Sequence, residues 1–187
     1  DQLHIQRQQR NLQRRRNLLP LQQQSDYNEL LFSDNDGKRG GAIFCDSNSS
    51  PPIDDCTFSA NEAEYGGAVY CYGAGPTMTN CAFNDNNADY GGAVCCESIS
   101  SLTLTNCAFG SNSADVDGGA VYCYQSSPSI TYCRFSSNSA DGYGGAVFCR
   151  DFSNPTITNC IFSGNSAVDC GGAIECDSSG PTITNCT

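Results

Sequence analysis

The feature that most constrains this chain is a phrase, Gly-Gly-Ala-(Ile/Val)-x-Cys, which begins at Gly40, Gly66, Gly91, Gly118, Gly144 and Gly171. Successive copies start 26, 25, 27, 26 and 27 residues apart. Two further phrases recur between copies in constant order. One ends in Cys, as in Thr77-Met78-Thr79-Asn80-Cys81 and Thr156-Ile157-Thr158-Asn159-Cys160; the other is Phe-x-x-Asn, as in Phe58 to Asn61 and Phe109 to Asn112. A fixed period carrying several phrases in one order is the signature of a solenoid.

Each phrase is short, rich in Val, Ile, Thr, Tyr and Phe, and bounded by Gly, Asn, Ser, Asp or Pro. That composition predicts short strands joined by tight bends, three to a repeat. The period is shorter than a βαβ unit of ~30 residues, and no segment has helical apolar spacing. The expected fold is therefore all-β: a right-handed parallel β-helix of about six coils of 25–27 residues, with equivalent residues stacked about 4.7–4.9 Å apart.

Strand alternation assigns the faces. Val69 and Cys71 share the interior face, and the intervening column, Phe44, Tyr70, Cys95, Tyr122, Phe148 and Glu175, is expected to face water because it contains a Glu. Met78, Leu104, Ile130, Ile157 and Ile183 are expected inside, with the flanking threonines outside. Asn80, Asn106, Asn159 and Asn185 are expected at bends, since Asn tolerates the left-handed conformation. Phe58, Phe83, Phe109, Phe135 and Phe162 complete the interior.

Charge divides the chain. Residues 1–24 hold Arg7, Arg10, Arg14, Arg15 and Arg16 against Asp1, for +4, whereas the remainder carries −15 of the net −11. The expected domains are a basic Gln/Arg-rich, non-globular arm (1–24), a degenerate first coil (25–39) in which Leu30 takes the Cys place, and the β-helix proper (40–187). The acidic body would repel phosphates, which argues against nucleic acid. No stretch is long and apolar enough to span a membrane, and the arm lacks the apolar run of a signal peptide.

Fourteen cysteines form two columns of six: Cys45, Cys71, Cys96, Cys123, Cys149 and Cys176, then Cys56, Cys81, Cys107, Cys133, Cys160 and Cys186. Cys95 and Cys170 are extra. With a single His and no clustered spacing, metal binding is not expected. Neighbours within a column lie inside the Cα range that a disulfide tolerates; pairing across the lumen and free buried thiols are the alternatives. The cysteine density favours oxidation and a secreted, extracellular or cell-surface location. Sequons at Asn48 and Asn185 fit secretion.

Gly-Gly-Ala-(Ile/Val) alternating with Phe-x-x-Asn resembles the repeat of the chlamydial polymorphic membrane proteins over roughly residues 30–187. In that family the repeat builds right-handed β-helices displayed on autotransporter passengers for adhesion. The resemblance implies this fold and extracellular display. The broader pectin-lyase-like superfamily includes polysaccharide lyases and hydrolases.

Catalysis is not expected. Glu64, Asp89, Asp115, Asp117, Asp141 and Asp169 recur beside the glycine pair and read as a solvated acidic edge, whereas an active site should break the repeat. Arg134, at an outward position otherwise held by Thr57, Ala82, Ala108 and Ile161, is the main irregularity. Neither a cofactor nor a metal is implied. Two outer surfaces remain open as binding faces. The aromatic column suits glycans or a neighbouring subunit, and the Thr-x-Thr face invites an ice-binding reading interrupted at Asp54 and Ser129. The leading expectation is a secreted, disulfide-stapled structural β-helix that assembles with itself head to tail into extracellular filaments, helped by the arginines of the arm, or serves as a surface building block. The alternative is a carbohydrate-binding adhesin or a polysaccharide lyase or hydrolase.

Overall fold

The computed structural model describes residues 30–187 apart from residue 48. The first coil comprises β1 (Leu30–Ser33), β2 (Asp36–Arg39), β3 (Ile43–Cys45) and β4 (Pro52–Asp54). The second repeats it as β5 (Cys56–Ser59), β6 (Glu62–Tyr65), β7 (Val69–Tyr72) and β8 (Thr77–Thr79). Three more coils run from β9 (Ala82–Asn84) to β20 (Thr156–Thr158). The last holds β21 (Ile161–Ser163), β22 (Ser166–Ala167), β23 (Ile174–Asp177) and β24 (Thr182–Thr184).

Equivalent strands pair in parallel into four six-stranded sheets, numbered 1 to 4 in the order a coil visits them. Register is kept residue for residue in sheets 1, 3 and 4, as in Val69↔Val94 and Phe83↔Phe109, and shifts in sheet 2 between Ala88↔Ala114 and Tyr90↔Asp117. The architecture is the expected parallel β-helix, with four strands per coil in place of three. The additional strand is that of sheet 2, such as Glu62–Tyr65, which lies between the Phe-x-x-Asn and Gly-Gly phrases. Its inward residue is only an alanine: Ala63, Ala88, Ala114 or Ala140.

The lumen is filled by columns. Phe32, Phe58, Phe83, Phe109, Phe135 and Phe162 stack with ring centroids 4.6–4.9 Å apart and planes within 7° of parallel. Met78, Leu104, Ile130 and Ile157 are wholly buried opposite them, as are Val69, Val94, Val121 and Val147. Burying each such side chain contributes about 1.5–3 kcal/mol, so the hydrophobic columns supply the main force holding coil to coil.

The asparagine of Phe-x-x-Asn forms a second kind of column inside the wall. Asn61, Asn86, Asn112 and Asn138 are buried. Each carboxamide donates to the carboxamide oxygen of the next coil and to the Phe carbonyl of the previous one; Asn86 Nδ2 lies 2.9 Å from Asn112 Oδ1 and 3.1 Å from Phe58 O. No buried side-chain nitrogen or oxygen among the described residues lacks a partner.

Bends fall where the chain accepts positive φ. Asn80, Asn106, Asn159 and Asn185 lie at φ 52–56°, as expected, and Asp55 and Tyr132 occupy the same place in their coils. The glycine pair has two separate requirements. Gly66 sits at φ 62°, a left-handed position that glycine adopts without steric cost. Gly67 needs no special dihedral, but a Cβ there would collide with the carbonyl oxygens of Gly92 and Asn87.

Candidate functional site

The glycine pair turns the chain from sheet 2 to sheet 3, and outward side chains on either side of the turn touch, so the outer corner is concave. The side chain just before each pair meets the outward column of sheet 3. Tyr65 lies 6.1 Å from Tyr70 between ring centroids, Tyr90 lies 5.3 Å from Tyr122, and Tyr143 lies 5.8 Å from Phe148. Tyr65 and Tyr90 also stack on each other at 5.4 Å.

This geometry corrects the expectation that the column faces water. Tyr70, Cys95, Tyr122 and Phe148 are buried in a second apolar cluster outside the lumen. Alternation directed them away from the lumen, but the tyrosines of sheet 2 roof them over. The surface left to solvent consists of those partly exposed tyrosines and the rim of sheet 3. The rim runs in register as Tyr72, Glu97, Tyr124, Arg150 and Asp177.

Polar groups interrupt the cleft at particular coils. Tyr70 donates its hydroxyl to Glu97 Oε2 at 2.7 Å, and Arg39 lies 5.6 Å over the Tyr70 ring. Burial, then the neighbouring Glu97, raises the Tyr70 phenol. Cys95 takes an aromatic's place, and its thiol is held well up, first by burial and then by Glu97.

Asp117 stands in register with Tyr90 and is buried, at 4% exposure. Its Oδ1 accepts the backbone N–H of Tyr143 at 3.0 Å, while burial raises its carboxyl. One acid of the edge expected to be solvated is thus drawn into the cleft, and there the repeat is broken. In the last two coils the cleft opens into a pocket of about 400 Å³ lined by Tyr143, Phe148, Arg150, Glu175 and Asp177 among others. An Arg150–Asp177 ion pair of 3.7 Å lies at it, with both side chains about half exposed. Such a pair contributes little to stability and leaves both charges available to a ligand.

The other sequence-predicted residues lie elsewhere. Arg134 is exposed on the outer face of sheet 1, in register with Ala108 and Ile161. Asn185 is exposed at its bend. Asn48 and the arm residues Arg7, Arg10, Arg14, Arg15 and Arg16 are outside the described residues.

All fourteen cysteines are free thiols, with no bonded pair in either column. Cys45, Cys56, Cys71, Cys81, Cys96, Cys107, Cys123, Cys133, Cys149 and Cys160 are buried, and Cys176 and Cys186 half-buried. The physical reason lies in the register. Cys71↔Cys96 and Cys96↔Cys123 are Cα partners on parallel strands. Parallel side chains start about 4.8 Å apart, whereas a disulfide wants Cβ atoms about 3.5–4.5 Å apart. The thiols act as small apolar groups; those of the second column also donate to carbonyls, as Cys81 does to Ile53 O at 3.3 Å.

The roofing tyrosines went unread in the sequence. Their signal is an aromatic immediately before the glycine pair at Tyr65, Tyr90 and Tyr143.

A solenoid of parallel coils with one outer cleft defines a class, and comparison with known families agrees with it. The chain belongs to the right-handed β-helix family, whose model, described as a right handed beta helix region, matches residues 24–187. That finding stands at the level of the β-helix family and does not single out the polymorphic membrane proteins. Nothing among the curated proteins or the solved structures matches the chain.

Proposed function

We propose that this protein is a non-catalytic β-helix of the cell exterior that binds a neutral polysaccharide along the cleft between sheets 2 and 3. The observation carrying this reading is the partly exposed tyrosine series of the cleft beside carboxylates and an arginine. Tyr143, 41% exposed, stands over the pocket that holds Glu175, Arg150 and Asp177. Sugar rings offer apolar faces to aromatics and hydroxyls to charged groups, which is the pattern such a surface suits. The acids of the cleft, in a chain of net charge −11, disfavour pectic and other anionic chains. Binding without turnover is supported by how the inner acids are engaged. Glu97 holds the Tyr70 hydroxyl and Asp117 holds a backbone N–H.

Affinity electrophoresis through neutral and acidic polysaccharides tests the reading. Retardation by a neutral polymer, lost in Tyr143→Ala, is the expected result. Equal migration in every polymer refutes binding, and release of reducing ends or unsaturated products refutes the non-catalytic assignment. Fractionation of the producing cells tests the location, which an intracellular pool would overturn.

A further inference from the structure

The outer face of sheet 4 is built differently from the cleft. From the second coil to the sixth it presents two columns of hydroxyl side chains. Thr77, Thr103, Ser129, Thr156 and Thr182 form one; Thr79, Thr105, Thr131, Thr158 and Thr184 form the other. Nine of these ten are threonine, and Ser129 keeps the hydroxyl. No register shift interrupts the columns, and Asp54, the one charge on this face, falls in the first coil, outside the array.

Three observations set the array apart. First, none of the ten hydroxyls makes a hydrogen bond among the described residues. Serines elsewhere in the coil do: Ser100 donates to Cys71 O at 3.1 Å and Ser153 to Cys123 O at 3.1 Å. Second, the face carries no charge across five coils, although the chain carries −11. Third, the strands beneath its first four coils are pinned, because Met78, Leu104, Ile130 and Ile157 between the threonines are wholly buried; Ile183 of the last coil, expected inside, is 48% exposed because no described coil covers it.

The hydroxyls therefore occupy a rigid two-dimensional lattice, spaced about 4.7–4.9 Å across strands and about 6.6 Å along them. Threonine contributes a methyl beside each hydroxyl, and its β-branch restricts χ1, so little rotamer freedom is lost on binding. We propose that this face binds the surface of ice, whose water oxygens repeat in two directions with comparable spacings. The ligand is a solid lattice and not a soluble sugar. The face has neither concavity nor aromatic platform nor charge, whereas a repeated surface can be held by many weak contacts acting together.

The test uses purified full-length protein and slowly grown ice. Wild type is expected to partition into the ice and to inhibit recrystallisation. Thr105→Tyr and Thr105→Lys, in the middle of the array, should each reduce partitioning about tenfold while circular dichroism and melting stay unchanged. Tyr143→Ala, in the separate cleft, should partition like wild type. Wild type left in the liquid like an inert protein overturns the proposal, whichever variants fold. So do folded Thr105 variants that partition fully. Wild-type adsorption to crystalline cellulose or chitin that the Thr105 variants lose would assign the face to a polysaccharide and also overturn it.

Discussion

Replacing Asn112 by Ala tests how much of the wall depends on the buried amide column. Four hydrogen bonds disappear. Asn86 N and Asn86 Nδ2 lose Asn112 Oδ1 at 3.1 and 2.9 Å, and the Asn112 amide no longer donates to Phe83 O at 3.0 Å or Asn138 Oδ1 at 2.9 Å. At about 1 kcal/mol net for each buried bond the loss is ~4 kcal/mol, more where a donor is left unpaired. For a protein of this size that lowers Tm by about 8–16 °C in a circular-dichroism melt. Asn80→Gly is the matched control. It removes two exposed amide contacts, of 3.1 and 2.7 Å, while keeping φ 56° accessible, and should cost less than about 1 kcal/mol. Asn112→Asp adds a pH signature. Its second oxygen would face two acceptors, Phe83 O and Asn138 Oδ1, so the folded state favours the protonated acid. With its pKa raised on folding, the variant's stability is greatest below about pH 3.9 and falls as pH rises through the folded pKa. Equal melting of Asn112→Ala and Asn80→Gly would refute the reasoning.

At the glycine corner, Gly92→Ala places a Cβ against the carbonyl oxygens of Gly119 and Ser113 and should cost about 3 kcal/mol or more. Gly110→Ala, whose Cβ meets only side-chain atoms, Asn84 Oδ1 at 3.0 Å and Ser136 Oγ at 3.9 Å, should be nearly neutral in the same denaturant titration. Asp117 has its carboxyl raised by burial, so it favours folding most below its unfolded pKa of about 3.9, and stability declines as pH rises through the folded value. Asp117→Asn keeps an acceptor for Tyr143 N and should flatten that decline, read as Tm against pH. Thiol titration of the unreduced native protein should label Cys170 first, Cys176 and Cys186 slowly, and all fourteen only after unfolding. Twelve or fewer on unfolding would show that disulfides had formed.

Much of the fold was legible because a solenoid repeats its information. One coil's inward Ile, Phe and Cys and its Asn bend are confirmed by the same residues a period later. The strand of sheet 2 was not legible. Glu62–Tyr65 and Ser113–Asp117 are mostly polar, and β22 is two residues long, so no apolar alternation marks them. Their pairing comes from coils above and below, which a single window does not contain. The Tyr70 column was assigned correctly away from the lumen and wrongly to water. Period-two alternation distinguishes two sides of a strand, but at a concave corner the outer side is also an interior. The cysteine columns show a related limit. A period fixes Cα spacing, whereas disulfide formation depends on where Cβ points.

The two outer faces make opposite use of the same strand geometry. On sheet 4 every coil from the second offers the same pair of hydroxyls, so a ligand there meets one contact repeated and gains nothing from a particular position along the axis. In the cleft between sheets 2 and 3 successive coils differ. Tyr70 bonds to Glu97, Cys95 replaces an aromatic, Asp117 enters where a tyrosine stood, and Arg150 faces Asp177. These departures occur in a fixed order along the solenoid, so the cleft has a direction that the threonine lattice lacks. A polysaccharide chain also has a direction, with distinct reducing and non-reducing ends. A polymer lying in the cleft would then be read in one polarity, and substitutions at Tyr72 and Tyr143, three coils apart, should weaken different sugar positions of one bound chain. Oligosaccharides too short to reach both should respond to one substitution and not the other.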